Sequence, residues 1–371
     1  MKIPDYTFPL SYQEVLKMVN EINPITYKKT RNKLFGSVTM LSPYITRGVI
    51  TLPEIKDRVL EKFDEKQSHK FIQELAWREY YQSVWRAKGD EIFSDLRFEQ
   101  PGVTNTNIAQ SLVDAKTGVD AIDSIINGLY DHGYIHNHSR MGIASIATNL
   151  AHSAWWHPSQ WMYYHLLDGD LASNSLSWQW VAGSFRKQPY TTSQSLINYS
   201  TESDQKESIL SYDRYDMLEQ PIPDELKNTV QVDLKTSLPE SDQIALDRTL
   251  STLIYHPWHL DPTWHSAIEA NRILIIEPSH YKKFPVSEKV MNFIVDIARE
   301  NIENIAVYVG EYSDLVKQYD PQHMKTREYP AINHWNGIDI EARPSLFPAT
   351  DEYHKSFYSF WKAGNKALDN E

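Results

Sequence analysis

A chain of 371 residues is long enough for two domains and a large core, and its 11 Trp and 22 Tyr suit a protein that holds a flat aromatic ligand or conducts electrons, as well as one that packs them in its core. It contains no cysteine, which excludes disulfides, a thiolate nucleophile and a Cys-ligated iron–sulfur cluster. The net charge of −12 is uneven: residues 1–200 carry 20 Lys and Arg against 20 Asp and Glu, and residues 201–371 carry 17 against 29, a balance that opposes indiscriminate nucleic-acid binding but leaves room for a local basic groove.

Fourteen His are present without an HExxH or comparable ligand spacing, so no metal site is expected. No apolar run is long enough to span a bilayer, and MKIPDYTFPL lacks a signal-peptide core, so a soluble, cytoplasmic protein is expected.

In chain order, Ser11 and Glu14 predict a capping box that opens a helix with Val15, Met18, Val19 and Ile22 on its apolar face, ended by Pro24. YKKTRNKLFGSVTMLSPYITRGVIT (27–51) then places Gly36, Ser37, Thr39 and Ser42 in a hydroxyl-rich turn, with Pro43 positioned to open a helix. On the residues alone this is either a capped loop or a phosphate-accepting turn.

A helix is expected from His69 to about Lys88, closed by Gly89. It sets Glu74, Trp77, Arg78 and Tyr81 at i, i+3, i+4 and i+7 on one face. That face is either an ion pair beside a buried Trp or a surface able to hydrogen-bond and stack an extruded base. Residues 118–133 predict an amphipathic helix with Ile122, Ile125, Ile126 and Leu129 inward. After it, HNHSRMGIASIATNLAH puts Asn137, Arg140 and Met141 on one face, with His136 and His138 read as structural. HPSQWMYYHLLDGD forms a further helix, and DGDLASNSLSWQW (168–180) follows with Asp168, Asp170, Asn174, Trp178 and Trp180. Buried acids and amides need partners, so this stretch marks either a helix-capping turn or a polar, aromatic site.

DGDLASN followed by WQW, preceded by the HN..RM segment and an ELAWREYY helix, resembles the flavin-binding domain of the photolyase and cryptochrome family over roughly the first 200 residues. The resemblance implies FAD as cofactor. It implies flavin contacts from Tyr27, from Val38, Thr39, Met40, Leu41 and Ser42 (VTMLS in place of the family's TSxLS), and from Phe71, Arg140, Asp168, Asp170 and Asn174. Arg140 and Asp168 match a salt bridge across the flavin ring, and Asn174 faces its N5, where an amide limits proton supply. Arg31, Glu74, Trp77, Arg78, Tyr81 and Asn137 are the implied DNA contacts. Asn137 and Met141 match the cyclobutane-dimer class, giving a catalytic set of Glu74, Trp77, Asn137, Met141 and Asn174. Trp178 and Trp155 match two members of a three-Trp electron chain. The third falls near Val103, which has no ring, so either Trp156, Trp161, Tyr163 or Trp85 provides the outer step or photoreduction is poor.

Residues 201–245 read as an acidic, Pro-interrupted linker able to pack on either side. TLIYHPW, RILIIEP and NIAVYVGEY, with VSEKVMNFIVDIAREN between the last two, give a βαβ rhythm and a parallel sheet without a GxGxxG. The expected fold is therefore α/β multidomain. An all-helical photolyase-type FAD-binding domain (1–200) and the acidic linker (201–245) precede a small Rossmann-like α/β domain (246–371), taken as an antenna-type domain in transposed position. Its pigment is left open, including none at all.

The function expected from the resemblance is a light-driven lyase acting on pyrimidine dimers in single- or double-stranded DNA. The alternative is a cryptochrome-type receptor with a protein partner on the acidic C-terminal domain. A light-independent flavin oxidoreductase ranks last for want of a nicotinamide motif.

Overall fold

Apolar residues at helical spacing turn most of the first 230 residues into helix. From the N-terminus come α1 (Tyr12–Asn20), α2 (Pro24–Thr30), α3 (Ser42–Thr46), α4 (Leu52–Leu60) and the 24-residue α5 (Glu65–Lys88). After a two-residue strand β1 (Ile108–Ala109) follow α6 (Gln110–Val113), α7 (Asp120–His132), α8 (Asn137–Ser145), α9 (Trp156–His165), α10 (Leu171–Ala182), α11 (Gln194–Thr201) and α12 (Asp224–Lys227), and β2 (Thr229–Val230) pairs back on β1. This computed structural model describes residues 3–347 and 353–368. Among them, no helix is long and apolar enough to cross a membrane.

Two units form, each from separated segments: Met1–Thr7, Ile25–Val38 and Tyr81–Leu234 in the first, Phe8–Pro24, Thr39–Tyr80 and Lys235–Glu371 in the second. These do not follow the boundaries expected at 200 and 245, and the physical reason lies in long-range pairing within the second unit. The amide of Tyr12 donates to Asn301 Oδ1 (2.6 Å), Asn301 Nδ2 donates to the Leu10 carbonyl (2.8 Å), and Tyr44 packs on Phe293 with ring centroids 6.1 Å apart. A second departure is local. Ser11 does occupy the N-cap position of α1 but makes no side-chain cap bond, so the SYQE capping box is not formed; the Glu14 amide that the cap would use donates to the Ser11 carbonyl at 3.0 Å.

The first unit is helical around one core. Ile122, Ile125, Ile126 and Leu129 of α7 are buried as their spacing predicts, and they join Ile143 of α8, Trp161 of α9, Trp178 and Val181 of α10 and Ile197 of α11. Each fully buried aliphatic side chain contributes about 1.5–3 kcal/mol. Gly133 ends α7 in the left-handed region (φ 67°), and a Cβ there would lie 2.8 Å from Leu167 Cγ. The Leu167 amide donates to the Gly133 carbonyl at 2.8 Å, so this glycine fixes the approach of the segment carrying Asp168. Leu210, Met217 and Leu226 enter the same core, whereas from Lys235 onward the chain belongs to the second unit, where Asp242 accepts from the Val307 amide (2.8 Å).

The second unit holds the parallel sheet. β3 (Thr252–Tyr255), β4 (Asn271–Ile276), β5 (Ile305–Val309), β6 (Lys325–Arg327) and β7 (Asp339–Glu341) run in the order β5-β4-β3-β6-β7, all neighbours parallel, with Ile254 opposite Ile273 and Ile273 opposite Ala306. β3 is buried along its whole length, as a strand covered on both faces must be. Between β4 and β5 lie α13 (Pro278–Lys283) and α14 (Glu288–Asn301), and α15 (Tyr312–Tyr319) and α16 (Phe357–Leu368) complete the unit. β6 and β7 escape the sequence pattern because KTR and DIE are short and polar, with β7 at the edge of the sheet.

Candidate functional site

Two α-helical ends and one turn assemble the polar centre of the first unit. α8 begins at Asn137 because His136 caps it, Nδ1 accepting the His138 amide at 3.2 Å. His136 Nε2 lies 2.9 Å from the Arg31 carbonyl, so the ring is a neutral bridge that fixes Arg31 relative to the start of α8. Burial holds its pKa down at about 4, and burial followed by the Arg31 guanidinium lowers that of His138. Both ring nitrogens of His136 are thus engaged within the protein, whereas His138 contributes its backbone amide. From α8 the exposed Asn137 and the half-buried Met141 share a face with Arg140.

Arg140 Nη2 donates to both oxygens of Asp168, at 2.9 and 2.7 Å, and its Nε donates to the Ile135 carbonyl at 3.0 Å. Asp168 is 4% exposed. A buried carboxylate would be costly alone; here two charge-assisted bonds compensate it. Tyr134 lies beneath the guanidinium (5.5 Å to the ring centroid), and Tyr6 packs edge-on against Tyr134 at 4.8 Å. The Tyr6 hydroxyl is buried without a protein partner, and burial, opposed in part by Arg140, pushes its pKa up to about 12.

Asp170 is the N-cap of α10: Oδ1 accepts the Ser173 amide at 2.7 Å, while Oδ2 takes a short bond from Gln82 Nε2. The helix-capping role and the buried-acid role thus coincide in one residue. One turn on, Asn174 Nδ2 donates to the Ser159 carbonyl of α9 at 3.0 Å. Beside it the Ser173 hydroxyl is buried and has no protein partner. A set of fixed donors and acceptors with an orphaned hydroxyl among them fits a polar ligand edge such as that of a flavin ring.

Tyr27, Arg31 and Val38 also belong to this unit, and the 36–38 turn is tight. The Ser37 amide bonds Thr30 Oγ1 at 2.8 Å, and a Cβ on Gly36 would stand 2.1 Å from the Thr30 carbonyl oxygen. The Ser37 amide is thereby committed within the protein.

The electron-transfer candidates sit in the same core. Trp178 (2% exposed) and Trp155 (3%) belong to one cluster, and Trp155 Nε1 donates to Asp95 Oδ1 at 2.9 Å. Trp155 meets Trp156 edge-on at 5.4 Å; Phe93 lies 5.6 Å from Trp156 and 6.1 Å from Trp85. Of the other suggested substitutes, Trp161 bonds the Tyr130 hydroxyl (3.1 Å) in the core and Tyr163 is buried, while Val103 is exposed.

The second unit holds the rest. Thr39, Met40, Leu41 and Ser42 precede or open α3, with Pro43 in its first turn as expected, and Met40 adopts a left-handed φ of 52°, a strained state for a non-glycine residue. On α5, Phe71 is buried, Glu74 pairs with Lys70 at 2.7 Å, and Arg78 Nη1 donates to Thr46 Oγ1 at 2.7 Å. Trp77 is stacked by Phe357, centroids 3.8 Å apart and planes 8° from parallel. Tyr81, on the first-unit part of α5, is buried edge-on against Phe185 at 6.3 Å, not held out to solvent. Sequence reasoning missed Gln82, Tyr6, Tyr134, Asp95 and Phe357, which act as partners; only the i, i+8 spacing of Glu74 and Gln82 along α5 could have pointed to one of them.

A family model of the FAD-binding domain of DNA photolyase matches residues 71–212. A deoxyribodipyrimidine photo-lyase from Streptomyces griseus is 30% identical over 159 residues, 42% of this chain and 35% of that protein. A cryptochrome DASH from Danio rerio is 30% identical over 167 residues, 43% of this chain and 32% of that protein. The chain spans about a third of the length of these relatives. A solved bacterial class III photolyase from Agrobacterium tumefaciens is 21% identical, covering 50% of this chain and 41% of that one with a TM-score of 0.45.

Proposed function

Because the chain belongs, through residues 71–212, to the photolyase and cryptochrome family, we propose that it is a light-driven DNA repair lyase that splits cyclobutane pyrimidine dimers. The observation that carries this is the buried two-pronged Arg140–Asp168 pair, followed by the Asp170 cap and by Asn174 one turn on. FAD, when bound, supplies the blue-light absorption and the electron that opens the dimer.

The residues of the chain do the rest by position. Arg140 and Asp168 fix each other and present a paired charge to the flavin ring, and Asp170, held by the Ser173 amide and Gln82, offers a fixed acceptor. Asn174, oriented by the Ser159 carbonyl, offers an amide and no acidic proton. Tyr27, Val38, Thr39, Met40, Leu41, Ser42 and Phe71 are the further flavin contacts. Glu74, Trp77, Asn137 and Met141 grip the dimer, and Arg31, Arg78 and Tyr81 support the DNA. Electrons enter through Trp178 and Trp155, with Trp156 as the outer step because its ring adjoins Trp155.

In the same reading, the parallel sheet of the second unit and its helices are a small, Rossmann-like antenna-type domain. The Trp258–Tyr329 stack (4.7 Å, 4°) and buried His256 and His259 fill the carboxyl ends of β3 and β6, which favours structural support over a pigment site.

Illumination of the purified, reduced, flavin-loaded protein with dimer-containing single-stranded and duplex DNA should restore pyrimidine absorbance. No recovery, with flavin bound and reducible, would leave the second reading, a blue-light receptor without repair, in its place. That rival is favoured by the acidic balance of residues 201–371, a surface for a protein partner and not for DNA.

A further inference from the structure

Trp77 is the residue of α5 on which an extruded base would pack, and its ring already has an occupant within its own unit. Phe357, the first residue of α16, lies 3.8 Å from it at an interplanar angle of 8°. Protein aromatic pairs commonly meet edge-on or offset at about 4.5–7 Å. A close, parallel stack is the arrangement in which bases sit on aromatic side chains. We infer that Phe357 stands in for a base on Trp77, so that α16 must leave this face before an extruded base can take it. This rests on the repair reading above and adds to it a self-contained competitor.

The seating of α16 suits a displaceable element. Of its twelve residues Phe360 and Gly364 are buried, against Tyr80 and the Phe347 ring, where a Cβ on Gly364 would come within 2.4 Å, and the half-buried Trp361 meets His69 and Phe347 edge-on at 5.4 and 5.7 Å. Phe357 itself is half-buried, and Tyr358, Ser359, Lys362 and Lys366 face solvent. A helix held by one apolar face, with its outer face exposed, opens locally more easily than a core helix. The stretch before it is anchored separately: buried Glu79 accepts the amides of Leu346 (2.7 Å) and Phe347 (3.3 Å). Departure of α16 therefore leaves residues 346–347 in place. Glu74 remains on the α5 face with a partner one turn away, Lys70, in a partly exposed pair that costs little to rearrange. Occupation of Trp77 by Phe357 lowers apparent affinity for an extruded base by the fraction of molecules in which the face is open.

The test compares the full-length flavin-loaded protein with Phe357→Ala and with Tyr358→Ala, a control on the exposed side of the same helix. Binding of a fluorescent oligonucleotide carrying one pyrimidine dimer is measured by anisotropy, and hydrogen exchange of residues 357–368 is followed with and without it. Phe357→Ala is expected to bind the dimer oligonucleotide about 3- to 10-fold more tightly. Tyr358→Ala should bind as the parent does, and the dimer should speed α16 exchange in the parent. Equal or weaker binding by Phe357→Ala, equal tightening by Tyr358→Ala, or α16 exchange indifferent to the dimer would overturn the inference and leave the repair reading standing. Failure of every chain to bind the dimer oligonucleotide, with flavin bound, would bring down the repair reading along with it.

Discussion

Arg140 holds Asp168 by both carboxylate oxygens, at 2.9 and 2.7 Å, in a place where the carboxylate is almost wholly removed from solvent. Breaking such a pair leaves one buried charge uncompensated, which costs about 3–5 kcal/mol. Arg140→Ala should lower the unfolding free energy in urea by that order, Asp168→Asn by less because the Arg140 guanidinium is partly exposed, and both should weaken FAD retention. Visible absorbance after gel filtration checks the second effect, and wild-type stability in both variants would show the pair to be a surface-like contact.

Asn174→Asp places a carboxylate where the amide now donates to the Ser159 carbonyl. The donor is lost and two acceptors face each other, a destabilisation of about 1–3 kcal/mol. If this residue tunes the flavin, the redox state that accumulates under blue light changes, as read in the visible spectrum. An unchanged spectrum with flavin bound would remove Asn174 from the flavin's surroundings.

Half-buried Trp156 adjoins buried Trp155, which puts electron entry at Trp156 in the repair reading. Trp178→Phe should abolish photoreduction, and Trp156→Phe should slow it at least about tenfold, a loss equivalent to roughly 1.4 kcal/mol in barrier. Trp161→Phe, altering a ring tied to Tyr130 in the core, should leave the rate unchanged. Steady-state bleaching of oxidised flavin under blue light with an external donor separates the three.

His136 is neutral when folded because burial holds its pKa near 4, below the ordinary value of 6.5. Between those values the unfolded chain binds the extra proton, so the folded state loses stability as pH falls from about 6.5 to 4, by on the order of 3 kcal/mol from this residue. Above pH 6.5 the contribution is level. His136→Gln should flatten the pH dependence of urea midpoints across that window relative to the parent, and identical slopes would exclude His136 as a source of acid sensitivity.

Helices with a regular apolar stripe were readable from the residues. The isoleucines of α7 and its glycine stop need only local spacing and a left-handed cap, and both are where the pattern puts them. The paired acids were readable as a cost needing partners, and one partner, Arg140, followed from the resemblance. Partners distant in sequence were not. Gln82 on Asp170, Asp95 on Trp155 and Phe357 on Trp77 are set by tertiary packing that no periodicity encodes. The same holds for the division into units: the acidic stretch suggested a boundary by composition, whereas Asn301 binding the start of α1 draws the first helix to the sheet. Ser11 shows the limit at the scale of one residue, since its capping pattern is present and its bond is not.

The bond from the Tyr12 amide to Asn301 joins residues 289 apart. On a ribosome adding about 5–20 residues per second, α1 emerges roughly 15–60 s before its partner exists. Through that interval the start of α1 lacks the partner that takes its first amide, so the N-terminal end of this helix is completed only once α14 has been made.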